Sequence, residues 1–249
     1  MRGNKDDPDK KWVISHDDRK YEDMKYLSFF NNFRSSPEKL KERQSYFLRY
    51  FEGRSKVHDL GCGRGEFLSL LKESGIGARG VDFNSEMVRY CKDRGLDVLQ
   101  TDALEYLASL DDSSIDGVFM DDFLEHLRTE QMVRLPKLCY KKLVEGSYMI
   151  IKTINPLSLA TFTDYYLDPT HTRALHPRGL EYLAGSAGFP SIDIRFFSRV
   201  SEKERLKNME VAEGLGETDI ININIYNANV QKLNNLLFGA EDYAIICRK

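Results

Sequence analysis

The chain has 249 residues, of which 41% are hydrophobic and 30% charged, with a formal net charge of −3. That is enough apolar material for a sizeable core in one large domain, and the slightly acidic balance excludes a protein that binds nucleic acid mainly by neutralising phosphates. No apolar run reaches the roughly 20 residues that cross a bilayer and the N-terminus lacks the apolar core of a signal peptide, so a cytoplasmic protein is expected, with Cys62, Cys91, Cys139 and Cys247 reduced and at no metal-binding spacing.

Residues 1 to 20 read as a flexible polar tail. Aromatics then gather at Tyr21, Tyr26, Phe29, Phe30 and Phe33. Ser36 before Pro37 has the chemistry of a helix start, and Leu40, Phe47, Leu48 and Phe51 fall at helical spacing as one buried face. This helical part, residues 21 to 52, is expected to lie as a lid over a ligand pocket, with plain packing as the alternative.

The next stretch, Val57-His58-Asp59-Leu60-Gly61-Cys62-Gly63-Arg64-Gly65-Glu66-Phe67, reads as a strand, a glycine loop and a helix N-terminus. Glycines let backbone approach a ligand closely, and this arrangement makes a nucleotide-type pocket at the carboxyl end of a parallel sheet. A dinucleotide fingerprint needs a third glycine where Glu66 stands, and no Walker lysine follows. Asp59 and Glu66 flank the loop, where they would repel a pyrophosphate and suit a ligand carrying an ammonium and a sulfonium. That ligand is S-adenosylmethionine.

Strand two, Ala78 to Asp82, ends in an acid placed to accept from both ribose hydroxyls. Ser85 is expected to cap the following helix. Strand three, Asp97 to Thr101, leads into Asp102-Ala103-Leu104, where Asp102 either accepts from an adenine amine or simply caps a helix. Strand four, Ile115 to Met120, is followed by Asp121-Asp122-Phe123-Leu124-Glu125-His126. Thr129 is expected to cap the next helix, with Pro136 kinking it or displacing its start. Strand five is Ser147 to Thr153. Residues 154 to 176 break the alternation with a long irregular segment, which is usually functional. A helix from Pro177 to Ala187 ends at Gly188. Strand six spans Ser191 to Ser198, a charged loop or helix spans 201 to 218, a helix runs from Asn227 to Phe238, and the last strand from Asp242 to Arg248. The alternation predicts an α/β, Rossmann-like doubly wound seven-stranded sheet with an N-terminal helical lid and an inserted loop/helical segment after strand five. It divides into a tail and one domain, 21 to 249, made of the lid, a core (53 to 153), an acceptor-side segment (154 to 190) and C-terminal strands and helix (191 to 249).

Several stretches together resemble one group: Phe33-Arg34, Lys41-Glu42-Arg43-Gln44, the glycine loop, Val81-Asp82, Asp102-Ala103-Leu104, Leu124-Glu125-His126-Leu127, Asn155-Pro156, Tyr166-Leu167-Asp168-Pro169-Thr170-His171 and Asp242-Tyr243-Ala244. The pattern Asp-x-Gly-x-Gly-x-Gly is similar to motif I of class I methyltransferases. The whole set resembles the prokaryotic methyltransferases of surface-polysaccharide synthesis, including the methyltransferase half of the O-antigen chain-terminating methyltransferase/kinase. Ser35 stands where that group has glycine, Glu145-Gly146-Ser147 replaces a Pro-Gly-Gly-like turn, and Ala174 replaces a proline-containing turn. No kinase or coiled-coil sequence accompanies it, so chain-length control through a fused kinase is not expected.

The resemblance implies methyl transfer from S-adenosylmethionine, leaving S-adenosylhomocysteine, to an oxygen of a glycan or glycan phosphate. It implies that Gly61, Cys62 and Gly63 line the methionine, Asp82 holds the ribose, Asp102 and Ala103 flank the adenine, and Arg34 and Gln44 reach the cofactor carboxylate. Asp59, Phe67, Phe83, Asp121 and Phe123 complete the expected cofactor shell. A hydroxyl acceptor needs a base, and histidine titrates near neutral pH. His126 and His171 are the candidates, each with a structural hydrogen bond as its alternative. Tyr166, Asp168 and Arg173 are the candidate substrate contacts, and no metal is expected. His58 reads as buried and structural, His176 as a turn residue, and His16 falls in the tail. A quinone-type small-molecule O- or N-methyltransferase, or a non-catalytic S-adenosylmethionine-binding partner subunit, are the alternatives. A monomer or homodimer acting without nucleic acid is expected.

Overall fold

The computed structural model describes residues 26 to 249. The expected tail, with His16, and Tyr21 lie outside the described residues. Seven strands, β1 (Val57–Leu60), β2 (Ala78–Asp82), β3 (Val98–Gln100), β4 (Ile115–Asp121), β5 (Leu143–Ile154), β6 (Ser191–Arg199) and β7 (Ala240–Arg248), form one sheet in the order β3-β2-β1-β4-β5-β7-β6. The first five are parallel, and β7 runs antiparallel to both β5 and β6. Nine helices are described: α1 (Tyr26–Phe33), α2 (Pro37–Ser45), α3 (Glu66–Glu73), α4 (Ser85–Lys92), α5 (Ala103–Ser109), α6 (Thr129–Lys142), α7 (Phe162–Tyr165), α8 (Pro177–Ala187) and α9 (Glu217–Leu237). The expected doubly wound, seven-stranded α/β sheet is the fold of the chain.

Side chains alternate across a strand, and the central strands use both faces. Val118 and Met120 of β4 join Leu135, Cys139, Leu180 and Ala184 of α6 and α8 in one cluster, while Phe119 packs oppositely with Phe47, Phe51 and Phe67. Strand order reverses at β1, between β2 and β4. In an open α/β sheet that point leaves a crevice beyond the carboxyl ends of the strands.

Local chemistry explains most element ends. Ser36 accepts from the Lys39 amide with Pro37 in the first turn of α2, and Gly188 closes α8 at a φ of 113°. Four expectations need correction. Asn84, not Ser85, caps α4, accepting from the Glu86 and Met87 amides. Arg128 holds the cap position of α6 and Thr129 is its first residue, while Pro136 neither ends the helix nor moves its start. The N-terminal buried face is not one helix: α2 stops at Ser45 and a 3₁₀ turn, Leu48–Tyr50, carries the chain on, with Phe47 and Phe51 buried. Finally, α9 begins ten residues before Asn227, at Glu217. Ile223 and Val230 bury one stripe of it, and Asn227 and Asn234 bond the backbone at Met209 and Leu206.

Candidate active site

The loop after β1 turns through Gly61 (φ 72°), Gly63 (φ 52°) and Gly65 (φ 75°), values that non-glycine residues adopt with strain. A Cβ on Gly61 would lie 2.3 Å from Phe123 Cδ2, and one on Gly65 would lie 2.6 Å from Leu96. The Gly61 and Cys62 amides donate to the Val81 carbonyl at 2.8 and 3.2 Å. Asp82, at the tip of β2, accepts the Gly63 amide at 2.9 Å and the Asn84 amide at 2.8 Å. A cavity beside this loop is lined by Asp59, Gly61, Cys62, Gly63, Glu66, Asp121 and Asp122, and by Phe30, Arg34, Leu40 and Gln44 from the N-terminal helices.

Charge in the cavity is held tightly. Burial pushes Asp82 up to about 6, against the pull of the backbone amides of Asn84, Gly63 and Phe83. Burial, with Asp121, Glu66 and Asp82 nearby, raises Asp59 well above the ordinary carboxylate range. Glu66 is taken by Arg64, whose Nε donates to it at 2.7 Å. The same guanidinium donates to Asn31 Oδ1 and the Ser35 carbonyl, each at 3.0 Å, and so ties the glycine loop to the N-terminal segment. Lys152 lies among Asp121 (2.9 Å), Asp242 (3.3 Å) and Asp122 (3.4 Å). Burial works against the charge on Lys152, but these carboxylates outweigh it and raise its pKa. Burial likewise works to raise Asp122, yet Lys152, Arg34 and His171 bring it down to about 2.

The remaining expected cofactor residues divide. Gln44 donates from Nε2 to Asp121 Oδ2 at 2.8 Å, and its Oε1 is buried without a partner. Arg34 pairs with Asp122 at 3.1 Å and lies over the Phe30 ring. The Cys62 side chain turns away into a small cluster with Leu68 and Cys91, so only its backbone offers contacts to the cavity. The Phe67 ring packs on Phe119 in the core, tilted with centroids 3.8 Å apart, and does not line the cavity. Asp102 caps α5, accepting from the Leu104 and Glu105 amides, and Ala103 is buried beside it. Phe83 is exposed.

A second polar cluster lies behind Asp122. One ring nitrogen each of His126 and His171 and one carboxylate oxygen of Asp168 all lie within 4.8 Å of one another. Thr170 organises it: its hydroxyl donates to Asp168 Oδ1 at 2.6 Å and accepts from His126 Nδ1 at 2.8 Å. His171 donates from Nδ1 to the Tyr165 carbonyl at 2.6 Å and stacks on that ring. Its Nε2 is buried without a hydrogen-bond partner among the described residues. Tyr26 of α1 closes the cluster by donating to Asp168 Oδ2 at 3.0 Å. Burial, then His171, pushes His126 down to about 4, although Asp168 opposes it. Beneath, Glu125 is fully buried and accepts from Thr153, and burial and Asp122 push it up to about 8.

The expected substrate trio does not assemble. Asp168 is internal, Tyr166 is 74% exposed, and Arg173 donates to Thr129 Oγ1 at the surface. Tyr26, Arg64, Asp122 and Thr170 were not singled out as site residues from sequence. Of these, Asp122 carried a signal, since it follows β4 where parallel strands present function.

The profile of the methionine biosynthesis protein MetW family matches residues 41–145. No curated protein matches the chain. A SAM dependent methyltransferase from Archaeoglobus fulgidus is 41% identical, covers 91% of this chain and 100% of its own length, and superposes with a TM-score of 0.84. A SAM-dependent methyltransferase from Thermotoga maritima, described as a possible histamine N-methyltransferase, is 22% identical over 90% of this chain and 94% of its own, with a TM-score of 0.61. Phosphoethanolamine N-methyltransferase 2 of Haemonchus contortus, solved with S-adenosyl-L-methionine, is 17% identical over 90% of this chain and 56% of its own, with a TM-score of 0.60. The last two bear on fold alone. With 41% identity along the whole Archaeoglobus protein, the chain belongs to the S-adenosylmethionine-dependent methyltransferases.

Proposed function

We propose that this methyltransferase acts on an oxygen of a polar, hydroxyl-rich acceptor of glycan or glycan-phosphate type. The observation that carries this reading is the lining of a second cavity. The charged side chains of Lys39, Glu42, Arg43, Glu204, Glu241 and Asp242 share it about equally with the apolar surface to which Phe47, Phe197 and Val200 contribute. Such groups pair with sugar hydroxyls and phosphates, whereas a flat quinone would leave them desolvated and unpaired. Lys152 lies in that cavity, and its partner Asp121 lies in the glycine-loop cavity, so one ion pair joins the two.

The glycine-loop residues fit S-adenosylmethionine. Gly61 and Gly65 leave no room for a side chain, Asp82 stands where it can accept from a ribose diol, and Gln44 Oε1, unpartnered among the described residues, can accept from an ammonium. Gly61, Cys62 and Gly63 would line the methionine through their backbones, and Asp102 and Ala103 would border the adenine. Arg34 would hold the cofactor carboxylate on exchanging Asp122 for it. When bound, the cofactor supplies an electrophilic methyl group on a sulfonium. The protein's part is to align an acceptor oxygen with it and exclude water. His171, its Nδ1–H committed to Tyr165, keeps on Nε2 the lone pair that a general base for the acceptor hydroxyl needs. Were an acceptor hydroxyl to take the methyl group, its proton would pass to that nitrogen. His126, Thr170 and Asp168 hold the arrangement.

The test is transfer of labelled methyl to a panel of oligosaccharides, sugar phosphates, quinols and amines. Oligosaccharide or sugar-phosphate products are expected, and His171→Ala is expected to lower kcat by about 100-fold or more, the scale of general base catalysis. Methylation of quinols or amines alone would overturn the acceptor assignment.

A further inference from the structure

The geometry points to a divalent metal site formed by His126, Asp168 and His171, specific for a first-row transition ion of the manganese-to-zinc series. Two imidazoles and one carboxylate suit such ions, with positions left open for oxygen ligands. One ring nitrogen of each histidine and one Asp168 oxygen already lie within 4.8 Å of one another, and His171 Nε2 is 4.0 Å from Asp168 Oδ2. Metal–nitrogen bonds of about 2.1 Å place neighbouring tetrahedral ligands roughly 3.4 Å apart, so small side-chain rotations complete the site.

The hydrogen bonds around the cluster set its polarity. The Tyr165 carbonyl can only accept, so the neutral His171 ring carries its hydrogen on Nδ1 and its lone pair on Nε2. The Thr170 hydroxyl spends its proton on Asp168, so it accepts from His126 Nδ1, and the lone pair of that ring lies on Nε2. Metal-binding imidazoles have this form, with the distal N–H held by an oxygen of an outer shell. The His171 side chain is 4% exposed and its Nε2 has no hydrogen-bond partner among the described residues. A buried acceptor left unsatisfied beside a carboxylate calls for a donor or a cation. Arg34 acts on His126 but is itself neutralised by Asp122 at 3.1 Å.

The use of the ion rests on the acceptor reading above, while its binding does not. An acceptor hydroxyl bound to the ion would have its proton's pKa lowered by the metal. It would then release that proton to solvent, and His171 would serve as ligand in place of base.

The test is titration of chelator-treated full-length protein with Mn²⁺, Zn²⁺ and Co²⁺, followed by calorimetry and by the visible absorption of bound Co²⁺. One ion per chain is expected. His171→Ala should weaken binding at least 100-fold, and Thr170→Val should weaken it 10- to 100-fold, the range for an outer-shell partner. His176→Ala, a histidine outside the cluster, should leave binding unchanged. Failure of wild-type protein to bind any of the three ions, or equal binding by His171→Ala, overturns the site. Ion binding without methylation of any hydroxylated acceptor sustains the site and sinks the acceptor assignment. Glycan methylation by protein that binds no ion does the reverse.

Discussion

Asp82 braces the glycine loop, and titration separates that role from the cofactor binding proposed for it. In the free protein each oxygen accepts a backbone amide, and burial still lifts the group to about 6. A ribose diol donates best to the ionised carboxylate, so affinity for S-adenosylhomocysteine should be constant above pH 6 and fall about tenfold per unit below it. Asp82→Asn should remove that dependence and bind about 10- to 100-fold more weakly at pH 8, the scale for losing a charge-assisted hydrogen bond. Calorimetric titration across pH reads both. His58 gives a stability counterpart on the same sheet. It is buried in β1 against the Tyr106 hydroxyl at 3.0 Å, and burial, reinforced by Arg79, pushes it down to about 4. Its folded pKa lies below the unfolded value of about 6.5, so the neutral ring's contribution is complete above that pH. The contribution is lost as pH falls from about 6.5 toward 4. His58→Gln should flatten this part of the stability curve, the difference reaching up to about 3 kcal/mol, as read from urea midpoints of the two proteins.

At the scale of elements, the β1–α3 connection is specified twice, by backbone sign and by volume. Gly61→Ala meets both a φ of 72° and the Phe123 ring at 2.3 Å. A loss of about 1–3 kcal/mol in stability is expected from the backbone alone, together with weaker S-adenosylhomocysteine binding. Adding Phe123→Ala should recover the steric part and leave the conformational part, which a double-mutant cycle of melting and binding measures. This connection was legible in the sequence because all its determinants lie within about ten residues, and so were β2 and α8, bracketed by local signals at Asp82, Pro177 and Gly188. The start of α9 was not: Asn227 and Asn234 look like surface polar residues until their bonds to Met209 and Leu206 are seen, 18 and 28 positions away. The site divides on the same line. The acid of β2 follows from its spacing to the loop, but Arg64 bound to Asn31, and Tyr26 bound to Asp168 142 positions on, leave no periodic trace. Phe67 misled for a related reason. Its place at the head of α3 faces the loop in sequence, but helix geometry turns its ring into the core against Phe119.

At the scale of the whole molecule, the glycine-loop cavity proposed for the cofactor is built from elements spread over the first half of the sheet and the N-terminal helices. Its lining includes residues of β1, β4, α1, α2 and the turn entering α3. Ligand binding there should therefore stabilise the cooperative unit and not one loop. At a hundred times its dissociation constant, S-adenosylhomocysteine should contribute about 2.7 kcal/mol. For a chain of this size that is a rise in Tm of about 5–11 °C. Differential scanning calorimetry reads it, and a local loop event would leave Tm within about 1 °C of the free protein.

The eight residues of α1 touch both chemical regions. Phe30 stands 3.4 Å from a Cβ built on Gly63, Tyr26 holds Asp168, and Arg34, just past the helix end, holds Asp122. One short helix thus braces the glycine loop and the Asp168 cluster together, so Tyr26→Phe is expected to disturb both, as amide hydrogen exchange in the two regions would read.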